Sequence, residues 1–188
     1  MKRAGYAIVI ASFALAGQTM AQMSALCTYV QKVLAAKATD FNTLRGTPRN
    51  PKLFNGEVFD GNLAAVPGGE CTLDIRHRAG RTEIPPRYTC SLGASKNFTD
   101  ANRIFQQAAR NLKACLPRME FVIMYDGDGS KPDESFDWIV AGKQDGLEMQ
   151  LEMSNGVALV AKAMGVEGAP DIAVTLDIVN TAPAAAPI

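Results

Sequence analysis

Residues 147–153 read Leu-Glu-Met-Gln-Leu-Glu-Met, apolar and polar side chains in strict alternation. Successive side chains of an extended chain point to opposite faces, so Leu147, Met149, Leu151 and Met153 make a dry face and Glu148, Gln150 and Glu152 a wet one. A strand of that kind belongs to an antiparallel sheet covered on one side only. A period of two recurs around it, and Glu120–Tyr125, Phe136–Ala141, Val157–Ala163 and Ile172–Val179 also read as strands. Gln144-Asp145-Gly146 and Asn155-Gly156 read as tight turns, and short connections make neighbouring strands antiparallel.

Further upstream the spacing changes. Ile104, Phe105, Ala108, Leu112 and Cys115 form a helical stripe that Thr99 or Asp100 can cap and Pro117 ends. A first helix is expected over Met23–Ala38, on the stripe Leu26, Val30, Val33, Leu34 and Lys37, with Phe41 closing it. Between the helices, Cys71–His77 and Arg87–Ala94 read as strands. The stretch Thr43–Gly69 is rich in Gly, Pro and Asn, with one short strand near Val58. The expected fold is α+β: an antiparallel sheet of six or seven strands, two helices packed on one face, and two disulfides.

The disulfides follow from Cys27, Cys71, Cys90 and Cys115, an even set whose spacing lacks the close ligand pairs of a zinc site or a CxxC redox motif. Three pairings are possible. Cys71 shares a strand face with Leu73 and Ile75, and Cys90 shares one with Tyr88 and Leu92, while Cys27 and Cys115 lie on the two helical stripes. That placement favours Cys71–Cys90 with Cys27–Cys115.

The N-terminus supplies a compartment in which such bonds persist. Lys2 and Arg3 precede the apolar run Ala7–Ala16, and Thr19-Met20-Ala21 offers small residues at a cleavage site, as in a secretory signal peptide. The run is too short to span a bilayer, which takes roughly 20 residues. Leu26 before Cys27 does not fit a lipoprotein site. Residues 1–21 are therefore expected to be a signal peptide, 22–180 a single α+β domain without a transmembrane segment, and 181–188 an unstructured Pro/Ala-rich tail. The protein is placed in the periplasm or outside the cell.

Function is less legible. His77 is the only histidine and lies between Arg76 and Arg78; no nucleophile elbow, zinc-protease motif or phosphate loop is present. Asp126-Gly-Asp128-Gly-Ser130 starts like a calcium loop, but Lys131 stands where that loop needs Gly and Asp137 where it needs Glu. An acidic hairpin tip is the simpler reading, and no metal or cofactor is implied.

Charge is distributed unevenly. Residues 1–118 carry 16 Lys/Arg and 7 Asp/Glu, and residues 119–188 carry 3 and 12. The basic side gathers at Arg76, Arg78, Arg81 and Arg87, and the acidic side at Asp126, Asp128, Asp133, Glu134 and Asp137. These residues are the candidate binding groups, able to steer a partner of opposite charge or simply to be solvated. Few aromatics interleave the basic stretch, so nucleic acid is not the expected partner. The sequence therefore reads as a non-enzymatic interaction domain for a protein or cell-envelope component. Alternatives are an inhibitor or immunity protein against an exported toxin or hydrolase, and an envelope hydrolase working through Asp126 or Asp128.

Overall fold

A computed structural model describes residues 25–49, 56–76, 85–129, 134–156 and 172–181. The eight strands are β1 (Arg45–Arg49), β2 (Gly56–Gly61), β3 (Cys71–Arg76), β4 (Arg87–Ser95), β5 (Glu120–Asp126), β6 (Asp137–Gln144), β7 (Leu147–Ser154) and β8 (Ile172–Asn180). They form one sheet in the order β1-β2-β3-β4-β8-β7-β6-β5, and every neighbouring pair is antiparallel. Helix α1 covers residues 25–36 and α2 covers Phe98–Cys115. The expected α+β class holds, with one strand more than the sequence indicated.

The described elements run in two similar halves: α1 then the meander β1–β4, and α2 then the meander β5–β8. The last strand of each half pairs with the other, Arg87–Ser95 against Ile172–Val179. Because β8, β7 and β6 lie between β4 and β5, the chain must cross the sheet to reach β5, and α2 makes that crossing over β4, β7 and β8.

The period-two reading is confirmed where it is strongest. In β7 and β8 alternate residues are buried, from Leu147 to Met153 and from Ile172 to Asn180. Phe105, Ala108 and Leu112 of α2 pack on that face with Leu26, Tyr29, Val30 and Val33 of α1. A β-bulge at Leu92 places both Leu92 and Gly93 toward the helices. A Cβ at Gly93 would stand 3.1 Å from Ile104 Cδ1, so glycine there lets α2 sit close to β4.

Caps and turns differ from expectation in instructive ways. Asn97 caps α2, accepting a hydrogen bond from the Thr99 N–H at 2.8 Å, where Thr99 or Asp100 was expected; a cap must precede the first helical residue, and here that residue is Phe98. Lys37 does not continue the α1 stripe: its ammonium bonds the Asp145 carbonyl. Asp40 and Phe41 adopt left-handed conformations, at φ 50° and 61°. Such residues cost on the order of 1–3 kcal/mol each. The turn is held because Phe41 is wholly buried 6.2 Å from the Tyr88 ring and Asp40 accepts from Asn180 Nδ2 at 2.7 Å.

Gln144-Asp145-Gly146 makes the expected hairpin, with φ 50° at Asp145 and 69° at Gly146. Asn155-Gly156 does not. Both edges of β7 are already paired, with Ser154 opposite Asp137 of β6 and Ala173 of β8, so no two-residue hairpin folds back onto β7. Asn155 instead is buried as a brace, accepting from the Phe136 N–H and donating to the Glu134 carbonyl. The expected strand Val157–Ala163, the signal segment 1–21 and most of the tail 181–188 lie outside the described residues.

Both expected disulfides form. Cys71 and Cys90 are directly opposed on β3 and β4, and Cys27–Cys115 ties α1 to the end of α2. The Tyr29 hydroxyl donates to Cys90 Sγ at 2.9 Å, so the first helix is anchored over the cross-strand bridge. Cys27–Cys115 spans 88 residues and Cys71–Cys90 spans 19. Each bridge should contribute about 2–4 kcal/mol, and the longer loop about 1 kcal/mol more than the shorter. The expected result is a clear fall in melting temperature in excess reductant, and a larger loss for Cys27→Ala/Cys115→Ala than for Cys71→Ala/Cys90→Ala. An undiminished melting temperature with all four thiols shown to be free would contradict this.

Candidate functional site

The position of β5 follows from the crossing made by α2. It is the last strand on its side of the sheet, bonded to β6 along one edge and to no described strand along the other. Residues 121–125 are Phe-Val-Ile-Met-Tyr, apolar at every position rather than at alternate ones. Registered through β6 onto β7, Phe121, Ile123 and Tyr125 lie on the helix-covered face, and Val122 and Met124 on the opposite one. Helix α2 packs chiefly on β4, β7 and β8, so it stops short of β5. Val122, Ile123, Met124 and Tyr125 are consequently 61%, 43%, 47% and 58% exposed, the large exposed hydrophobics among the described residues.

Aromatic packing stiffens the C-terminal end of this edge. Tyr125 meets Trp138 edge-on at 4.8 Å; Trp138 meets Phe98, at the start of α2, at 5.2 Å; Phe98 meets Phe136 at 5.7 Å. The Trp138 indole also donates to the Gly127 carbonyl at 3.4 Å. Gly129 is buried under Phe98, where a Cβ would run into the ring. The glycines of Asp126-Gly-Asp-Gly therefore fit the loop onto this cluster, a role in packing. Among the described residues no three acidic, histidine or cysteine side chains converge as metal ligands.

The charged candidates fall at two distant places. Arg87 begins β4 and is exposed, 3.4 Å from Asp177 on β8. Arg76 ends β3, and Arg78, Arg81 and His77 lie outside the described residues. Asp126 ends β5, Asp128 and Glu134 are exposed beside it, and Asp133 is outside the described residues. Across the sheet, Arg87 is level with Val179, Glu148, Lys143 and Glu120, four strands from β5 and six residues from Asp126. At about 3.3 Å per residue and about 4.8 Å per strand they stand on the order of 25 Å apart. That exceeds the Debye length of about 8 Å in physiological salt, so Arg87 and Asp126 do not neutralise one another.

The wet face carries further acid. Asp137 lies opposite Asp126 on the sheet, and its Oδ1 is enclosed without a hydrogen bond. Burial, and then the charges of Glu152 and Asp126, hold its carboxyl above the usual range. Burial also raises Asp177, against the lowering effect of a 2.5 Å hydrogen bond from Thr89 and of Arg87. A depression of about 350 Å3 lies elsewhere, against Val66, Glu70, Ser91 and Leu92; its one carboxylate, Glu70, is 3.5 Å from Arg49. Neither place joins two carboxylates in a cleft that would enclose a substrate. Among the described residues no helix is long and apolar enough to cross a membrane.

The raised carboxyl of Asp137 means that the folded chain holds that proton more tightly than the unfolded one. Its contribution to folding is complete below the unfolded value near 3.8 and is lost as pH rises through the folded value. Asp137→Asn should therefore melt above the wild type at about pH 7, with the gap closing near pH 3–4; equal melting temperatures at neutral pH would contradict the assignment. Comparison with known protein families, with curated proteins and with solved structures found no match to this chain.

Proposed function

We propose that this chain is an exported, disulfide-stabilised interaction domain that works without catalysis, engaging a protein or cell-envelope component in the periplasm or outside the cell. The observation that carries the reading is the run Val122–Tyr125, four consecutive large apolar side chains exposed on a braced sheet edge. Exposed apolar surface gathered in one place has a physical cost in water and marks an interaction site, whereas scattered single residues do not. The aromatic cluster behind it keeps the surface in one shape, which lowers the entropy lost on binding. Export accords with the two disulfides and with the signal-like segment 1–21, and residues 22–180 form the unit proposed to act.

The test pairs location with capture. Protein recovered outside the cytoplasm should begin near Gln22, and it should co-precipitate a component of the extracytoplasmic fraction. Val122→Lys/Met124→Lys should lose that component while keeping its melting temperature, because both side chains already face water. Full-length chain retained in the cytoplasm, or capture unchanged in the double variant, would overturn the proposal.

A further inference from the structure

We propose that β5 receives an extended segment of another protein as a ninth strand, running antiparallel, apolar on both faces and basic at its N-terminal end. This rests on the interaction reading above and deepens it by naming the mode of contact and the chemistry of the partner.

The first ground is the contrast between the two ends of the sheet. Both β1 and β5 open a four-stranded meander and both lie at an edge. Strand β1 is protected against pairing: Arg-Gly-Thr-Pro-Arg holds two charges, an irregular register and Pro48, which has no N–H to offer. Its arginines are also engaged, Arg45 over the Phe59 ring at 3.6 Å and Arg49 with Asp60 and Glu70. Strand β5 also has a charge at each end, Glu120 and Asp126, but five apolar residues in a row lie between them. Its seven residues lack proline, lysine and any register shift against β6.

The second ground is composition. A strand apolar at every position is what a sheet uses where both faces are covered and both edges are paired. Strand β5 is thus an interior strand placed at an edge. A chain laid beside it would gain backbone hydrogen bonds along the edge that no described strand occupies. It would also set apolar side chains against Val122 and Met124 on one face and against Ile123 and Tyr125 on the other.

Charge then selects the occupant. The Asp126 end is acidic, with Asp128, Glu134 and Asp137 near it, while at the other end Glu120 faces Lys143. A second copy paired through β5 and centred on Ile123 would set Glu120 of each copy against Asp126 of the other, a repulsion at both ends. Pairing β5 with β1 of a second copy meets Pro48 and arginines already engaged. A foreign segment with Lys or Arg at the end that meets Asp126 has neither fault. In an antiparallel pair that end is the N-terminal one.

The probe is a fluorescein-labelled peptide, Lys-Lys-Thr-Val-Ile-Val-Tyr-Thr, titrated into the mature, oxidised protein. It should bind about tenfold tighter than its Glu-Glu counterpart at about 20 mM salt, and the difference should collapse at about 0.5 M. N-methylation at one alternating set of its residues should abolish binding and at the other set leave it, since one edge of an added strand is bonded and the other faces water. Loss with neither set, or no binding while the co-precipitation above persists, would overturn strand addition and leave the interaction reading standing. Failure of both would remove both. A dimer of the protein alone that Val122→Lys/Met124→Lys dissociates would overturn the proposal in favour of a second copy.

Discussion

The ladder between β4 and β8 joins the two halves of this molecule, and most other features depend on it. Each half is a helix and a four-stranded meander, and among the described residues the halves share backbone hydrogen bonds along Arg87–Ser95 and Ile172–Val179, with the Asn180 N–H donating to the Pro86 carbonyl beyond it. Since β8 is also the last of the described strands in sequence, the centre of the sheet closes only when residues 172–180 arrive. Contacts between residues so far apart in sequence are costly to form in loop entropy. Cys27–Cys115 works on the same difficulty from the other side of the molecule, holding two helices whose sequence separation is 88 residues. The bulge at Leu92, the seat of α2 over Gly93 and the Thr89–Asp177 hydrogen bond are all built on this one ladder.

What the sequence disclosed of the fold was what alternation can encode. Strands β7 and β8 are half-dry, and Leu147–Met153 and Ile172–Val179 say so residue by residue. Opposed cysteines on two dry faces likewise forecast the Cys71–Cys90 bridge. Strand β1 was invisible for the same reason reversed: Arg45–Arg49 has no dry face to encode, and Gly46 and Pro48 are turn residues by every local rule. The Asn155-Gly156 turn was misread because asparagine serves two purposes. Its side chain can favour a tight turn, or it can act as a backbone substitute, which is what the bonds to Phe136 and Glu134 make of it.

The candidate site was legible as a strand and hidden as a site. Local pattern placed Glu120–Tyr125 in the sheet, but a strand does not carry its own address within the sheet. That address came from α2, which carries the chain from β4 at the centre to the far side. Charge drew attention to the loop tips instead, because net charge along a sequence is visible without knowing the fold. Strand register then separated the two tips: Arg87 and Asp126 lie at opposite ends of the strands and four strands apart. The uneven charge of the chain is thus a feature of its surface, with the acidic end beside the apolar edge.

The two edges answer a question that the composition of either one leaves open. An apolar edge on its own can be an accident tolerated by a stable fold. Here the same chain protects the corresponding strand of its other half with arginine, proline and an irregular register, so edge pairing is a hazard this sequence already manages. Leaving β5 unprotected also sets it apart from the central strands, whose wet face carries Glu148, Gln150, Glu152 and Asp177. Val122 and Met124 occupy the same wet face and are not polar. Val122 stands opposite Ala141 and Met124 opposite Ile139, and both keep about half or more of their surface in water. The proposed added strand would give that apolar choice a reason, covering both faces and the backbone edge at once.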